Sequence, residues 1–269
     1  IVAYLVPVTI LSFEVTGIPV PQLTYGQVLQ KVQVLEERIF DDPAEVDARR
    51  LFRERADGYY TRILTLPDSL EEERRSLSTQ INELKSSNAQ MREVVALERL
   101  RRELPKTSEA ARAYWDQLMR EAGQRGALPD HHLTPYPGAA EGVNNTARLN
   151  FLTLVFCLMV GTAALPHVLM RYYTTTSVRD ARRSVFWSLF FILALYLTAP
   201  AYAAFAKYEI YSSLVGSSIT QLPIWVTSWG KIGLVSIEDI NGDGILQLAE
   251  LSLNPDVVLL ATPEIAGLP

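Results

Sequence analysis

Apolar and polar residues separate along this chain into long blocks. Residues 149–171 (LNFLTLVFCLMVGTAALPHVLMR) carry no charge before Arg171, and residues 184–206 (SVFWSLFFILALYLTAPAYAAFA) carry none at all. Each run of 23 residues exceeds the ~20 that a helix rising 1.5 Å per residue needs to cross roughly 30 Å of hydrocarbon. Both are predicted transmembrane spans. A third apolar run, 1–20, holds a single charge, Glu14, and is predicted as a span truncated at its start.

Between these runs lies a polar insert, 21–148, with strong helix signals. Asp42-Pro43-Ala44-Glu45 places a capping Asp, a Pro at the first helical position and a Glu that reaches back, which predicts a helix over 43–65. Pro67-Asp68-Ser69 breaks the chain, and Ser69 with Glu72 repeats the capping pattern. Leu70, Leu77, Leu84 and Met91, with Ile81 and Val95 between them, then form a seam of coiled-coil spacing on which Asn88 also falls. Pro105 ends that helix, and Thr107 or Ser108 opens another that runs through Trp115 and Leu118 to about Ala122. Helices joined by a Pro-Asp-Ser turn predict an antiparallel hairpin, with a helix dimer between chains as the rival arrangement.

Charge sets the expected orientation. Arg171, Arg179, Arg182 and Arg183 face one acid, Asp180, around the loop 172–183, and basic residues beside spans stay cytoplasmic. Segment 207–269 carries two bases and seven acids, as expected for the opposite face, so the insert 21–148 is expected to be extracytoplasmic as well. Tyr172 and Tyr173 at one end, and Tyr202, Tyr208 and Tyr211 at the other, sit where interfacial anchors belong. The net charge of −5 excludes a nucleic-acid binder selected by basic charge, and the single Cys157 excludes a disulfide scaffold. The chain opens on Ile1 and ends without a closing element, which reads as an internal piece of a larger membrane protein.

One motif carries chemistry on its own spacing. Asp239, Asn241, Asp243, Gly244, Ile245, Gln247 and Glu250 fit the twelve-position pattern D-x-[DN]-x-[DN]-G-x5-E over 239–250. Calcium is a hard cation that takes six to eight oxygens. Asp239, Asn241 and Asp243 supply side-chain oxygens, Ile245 a carbonyl, Gln247 a direct or water-mediated ligand, and Glu250 two oxygens. Gly244 permits the sharp turn, Leu246 is the apolar anchor, and LQLAELSL suggests a helix starting near Gln247. The entering segment SWGKIGLVSIED does not read as an amphipathic helix and no second loop is present, so a structural calcium staple is expected rather than a sensor. His131 and His132 lie in a Gly/Pro-rich loop without zinc spacing. Asn144-Asn145-Thr146 is a sequon that matters only in a glycosylating pathway.

The span 149–171 contains the small residues Gly161, Thr162, Ala163 and Ala164, then Pro166-His167. Small residues let helices approach closely, and a Pro inside a span frees a carbonyl; a simple anchor needs neither. The ordinary role for His167 is an interfacial one near Arg171. The run LVFCLMVGTAALPHVLMRYYTTTSVRDARRSVFWSLFF with LYLTAPAYAAFAKYEIY closely resembles sodium:solute symporters of the cation/acetate symporter type. Gly161 to Arg171 is the specific part. The opening VAYLVPVTILSFEVTGIPVPQLTYG looks like the preceding span of that family, and NPDVVLLATPEIAGLP like the loop before its next span; the insert matches only a large-loop subgroup.

The resemblance implies an all-α membrane protein of five-plus-five inverted-repeat architecture, multi-pass in a bacterial inner membrane; the residues' own signals add to it an extracytoplasmic helical hairpin insert and an EF-hand-like calcium loop. On that mapping 1–18 is the fifth core span, 149–171 the sixth and 184–206 the seventh. The sixth would line the substrate cavity through Leu158, Gly161, Thr162 and Ala163, small enough for a monocarboxylate such as acetate. The implied coupling ion is Na+ or a proton; the family's sodium site lies between the first and eighth core spans, so no sodium ligand is named. The expected partners are the lipid bilayer, the substrate and further spans of the same polypeptide, with no nucleic acid and no enzymatic activity. The rival reading is a membrane-anchored extracytoplasmic calcium-binding or sensor module without transport.

Overall fold

A computed structural model describes residues 2–86, 91–132, 141–163 and 177–265. About 80% of the described residues are helical. It divides into two compact units, one of residues 1–39, 129–236 and 252–269 and the other of residues 40–128 and 237–251.

The first unit opens with α1 (Val2–Thr16) and α2 (Pro21–Phe40). The 15 residues of α1 reach only ~22 Å, short of the hydrocarbon thickness expected of the run 1–20. Gly17 takes φ +75°, a left-handed conformation that costs a glycine little, and α2 departs at 55° to α1. The expected single span is therefore a bent pair. Hydroxyls close the break: Ser12 Oγ donates to the Ile18 carbonyl at 2.7 Å and lies 2.9 Å from Thr24 Oγ1. Thr24, Val28, Val32, Glu36 and Ile39 form a buried stripe along α2, so this helix, counted with the polar insert by sequence, groups with α1.

α7 (Glu141–Ala163) starts eight residues before the predicted span, and 164–176, including Pro166 and His167, lie outside the described residues. α8 (Val178–Glu209) is unbroken over 32 residues and continues through one π-helical turn, Ile210–Leu214. It thus takes in the end of the predicted loop 172–183: Ser177 caps it, accepting the Asp180 N–H at 3.1 Å, and Arg179, Arg182 and Arg183 stand on its first two turns. The run 178–214 is long and apolar enough to cross a membrane; among the described residues the only other candidate is the bent pair α1–α2. The second half of α8 is buried through Thr198, Ala201, Tyr202, Ala204, Phe205 and Ala206, where three small alanines allow close packing beside two buried aromatic rings. After α8 come α9 (Ile224–Lys231) and α10 (Pro255–Ile265), and α10 packs on α1, α8 and α9.

The second unit is a long helical hairpin of α3 (Pro43–Leu64), α4 (Asp68–Ser86), α5 (Met91–Glu103) and α6 (Ser108–Gly126). Asp42 caps α3 as predicted, accepting the Ala44 N–H at 2.9 Å. α3 pairs antiparallel with α6: Arg49 reaches the Arg125 and Ala127 carbonyls at one end, while at the other Trp115, Leu70 and Ala111 pack with Tyr59, Ile63, Leu66 and Leu118. α4 pairs antiparallel with α5, with Lys85 bonded to Glu98 at 2.7 Å and Arg101 to Ser78 at 3.5 Å.

The fold-back is therefore between α4 and α5, and the Pro67-Asp68-Ser69 break joins two pieces of one arm. Ser69 does not cap; its hydroxyl donates to the Arg62 carbonyl at 2.7 Å. The predicted continuous seam is correspondingly two helices. Leu70, Leu77 and Ile81 are buried on the first, but on the second Val94 is buried and Val95 exposed, because a reversal of direction resets the register. Asn88 lies outside the described residues.

Candidate functional site

The loop 239–250 belongs to the second unit and is framed by strands. β1 (Val235–Ile237) pairs with β2 (Leu251–Leu253), and the Glu238 N–H donates to the Glu250 carbonyl at 3.1 Å. The helix expected near Gln247 is one 3-10 turn, Leu248–Glu250. Leu251-Ser-Leu253 alternates apolar and polar as a strand does, and that alternation ends the turn.

Within the loop each acidic or amide position organises backbone. Asp239 accepts N–H groups from Gly242 at 2.7 Å and Gly244 at 3.0 Å. Asn241 accepts the Asp243 N–H at 3.1 Å, and Asp243 the Ile245 N–H at 2.7 Å. Gln247 Nε2 and Asn241 Nδ2 donate to Asp243 Oδ2 at 2.8 and 3.0 Å. Glu250 is fully buried and accepts from Ile240 at 2.8 Å and Gln247 at 3.2 Å. Both tight turns use left-handed glycines, Gly242 at φ +74° and Gly244 at φ +73°. Leu246 is fully buried, whereas Ile245 is exposed.

Desolvation raises the Glu250 carboxyl above the usual carboxylate value, opposed by its backbone hydrogen bonds. The donor set of Asp239, Asn241, Asp243, Ile245, Gln247 and Glu250 is all oxygen and suits a hard cation. Among the described residues no three His, Cys, Asp or Glu side chains gather as a metal-ligating cluster; Glu250 is turned to the loop's own backbone.

Three contacts that sequence reasoning missed hold this loop on α3 and α6. Glu45, expected to complete a capping box, is buried, paired with Arg49 at 2.5 Å, and accepts the Ala249 N–H at 3.1 Å. Burial raises its carboxyl despite the opposing Arg49 charge. Arg55 and Arg125 both bind Glu238, which precedes the loop. Ala48, Phe52 and Ala249 share one apolar cluster with Ile240.

The residues expected to line a substrate path lie on α7. Leu158 and Gly161 are exposed, and the side chains of Thr162 and Ala163 lie outside the described residues. The second half of α7 is apolar and exposed from Phe151 to Val160.

A second missed cluster lies in the first unit. Glu36 is fully buried on the α2 stripe, 2.5 Å from Lys207 Nζ of α8. The His132 N–H donates to both Glu36 oxygens at 3.0 and 3.3 Å, and His131 Nδ1 is 3.6 Å away. Desolvation, then the Lys207 charge, lowers the His132 value. Gln22 Nε2 donates to Thr198 Oγ1 of α8 at 2.6 Å. The available signal was an acid at four-residue spacing from Thr24, Val28 and Val32.

No family model matches this chain, and no solved structure does. The whole chain aligns at 44% identity, over 271 positions, with an uncharacterized symporter of Cupriavidus necator, covering 40% of that protein. A monocarboxylic acid transporter of Corynebacterium glutamicum is 39% identical over 88 residues, 30% of this chain and 16% of that one. Both relatives are named as transporters. The chain spans about two-fifths of the length of the first and less of the second.

Proposed function

We propose that the chain forms part of a symporter that moves a small monocarboxylate such as acetate, coupled to sodium or protons, by alternating access. The observation that carries this reading is the end-to-end similarity at 44% identity to a symporter, and the monocarboxylic acid transporter among its relatives supports the substrate class. The bent pair α1–α2 supports it physically, since transporters bind ions and substrates at broken helices. On this reading α7 lines the pathway through Leu158, Gly161, Thr162 and Ala163. Loop 239–250 binds calcium as a staple, with Asp239, Asn241, Asp243, the Ile245 carbonyl, Gln247 and Glu250 as ligands. Calcium there would supply a fixed positive charge that gathers these oxygens.

Uptake of labelled acetate, pyruvate, lactate and proline by the full-length protein in liposomes, with and without a sodium gradient, tests the proposal. Saturable monocarboxylate uptake that collapses without any ion gradient is expected. Absence of uptake for all four would favour an anchored calcium-binding module. Thr162→Trp should abolish uptake at unchanged protein level if this face lines the path.

A further inference from the structure

The N-terminal turns of α8 present three exposed guanidiniums. Arg179, Arg182 and Arg183 are exposed and, among the described residues, pair with no carboxylate. Asp180, the one acid beside them, is held by the cap at 2.6 Å from Ser177 Oγ. At 100° per residue, Arg179 and Arg183 lie on the same stripe as Phe186, Phe190, Leu193 and Leu197, with Arg182 flanking it. All four apolar residues are at least half exposed. Trp187 makes edge contacts with Phe186 and Phe190 at 5.7 and 5.8 Å and stacks on Phe191 at 6.1 Å, so a rigid aromatic shelf lies one turn below the basic turns. From Phe186 to Tyr196 the helix rises ~15 Å, about half the hydrocarbon thickness.

We infer that this face of α8 binds an anionic glycerophospholipid, its phosphate held by Arg179, Arg182 and Arg183 and one acyl chain lying along Phe186, Phe190, Leu193 and Leu197. The inference rests on the reading that α8 crosses a membrane. A guanidinium presents donors in a fork that matches phosphate oxygens, the positive end of the helix dipole adds to their field, and the apolar stripe begins where a lipid's charge ends. A free phosphate would satisfy the arginines and leave the stripe bare. An anionic lipid matches both, in the order in which they occur along the helix.

The test uses the full-length protein reconstituted in vesicles of phosphatidylcholine mixed with phosphatidylglycerol, extracted in mild detergent, with the retained lipid measured by mass spectrometry. Phosphatidylglycerol is expected to be enriched over its share in the vesicle. Each arginine near an anionic surface is worth about fivefold, so three together set an upper bound on the order of a hundredfold. The triple variant R179Q/R182Q/R183Q should lose the enrichment, with orientation checked by protease accessibility. The triple variant R179K/R182K/R183K keeps the charges that orient the helix and should retain phosphatidylglycerol severalfold less well. Unchanged enrichment in the lysine variant would mean diffuse surface charge, and displacement of the lipid by inorganic phosphate would mean a simple anion site; either overturns the inference. Lipid retention is read without transport, so a failure of uptake leaves it standing, whereas an α8 fully open to protease defeats it directly.

Discussion

Lys207→Met isolates the buried pair at Glu36. The wild-type carboxylate is fully buried and takes its main compensation from the ammonium 2.5 Å away. Removing one partner of a buried pair leaves an unpaired charge, at a cost of about 3–5 kcal/mol. Two features reduce that figure here. Lys207 keeps 24% of its side chain exposed, and the His132 N–H still donates to Glu36 at 3.0 Å. About 2–3 kcal/mol is expected, a fall in melting temperature of several degrees in thermal unfolding of the full-length protein. The double variant Glu36→Leu/Lys207→Met removes both desolvation costs and should recover most of the loss, because replacing a buried pair with apolar groups is often neutral. Equal melting of wild type and the single variant would refute the reasoning, as would a double variant no better than the single.

Gly126→Ala should destabilise by about 1–3 kcal/mol in the same melting assay, since a Cβ there would meet the Arg53 nitrogen at 3.0 Å and the Arg49 carbonyl at 3.1 Å, both backbone atoms of α3. Burial raises the carboxyls of Glu45 and Glu250, so the folded chain holds more protons than the unfolded chain between the two sets of values, and metal-free stability should decline as pH rises through that window. Calcium needs the Glu250 carboxylate; the melting shift produced by added calcium should therefore be present at neutral pH and vanish as pH falls through the raised Glu250 value. A shift that persists below it, or none at neutral pH, would exclude the staple. Cysteines at Ser177 and Ser236 should react with an impermeant reagent from opposite sides of the membrane, and reaction of both from one side would overturn the orientation.

Much of the helical content was legible because its signals are local. Asp42 and Thr107 each accept an N–H within three residues at a cap, Pro43 at the first turn leaves no N–H to satisfy, and the chain itself displays them. The apolar runs behind α7 and α8 were legible by length and lack of charge. The direction of the hairpin was not. A coiled-coil spacing continues in sequence through 87–90, and only the pairing of Lys85 with Glu98 shows that the helix reverses. The turn at Gly244 followed from the loop's spacing, but the turn at Gly242 and the strands did not, since three-residue strands carry too little pattern to be seen. Glu36 and Glu45 were invisible as site residues because their partners, Lys207 and Ala249, lie 171 and 204 residues away.

The two units satisfy their apolar residues differently, and that difference bears on what surrounds each. In the second unit Trp115, Phe52, Leu70 and Leu77 are covered by the unit's own helices, and the outer faces carry ion pairs such as Arg50 with Asp47 and Glu54. In the first unit the second half of α7 is apolar and exposed from Phe151 to Val160, and the opening half of α8 exposes Phe186, Trp187, Leu189, Phe190 and Phe191 in succession. A helical stretch that is apolar all round is stable only when buried in protein or lipid, so these two stretches demand a non-aqueous neighbour. The second half of α8 already has one, in α1 and α10, and there the residues turn small, with Ala201, Ala204 and Ala206 fully buried. Within one helix, then, exposed residues give way to buried ones, alanines and two aromatic rings, at Thr198 and Pro200, the point where Gln22 of α2 bonds to it. The polar contact sits at the boundary between the half of α8 that the first unit covers and the half it leaves exposed.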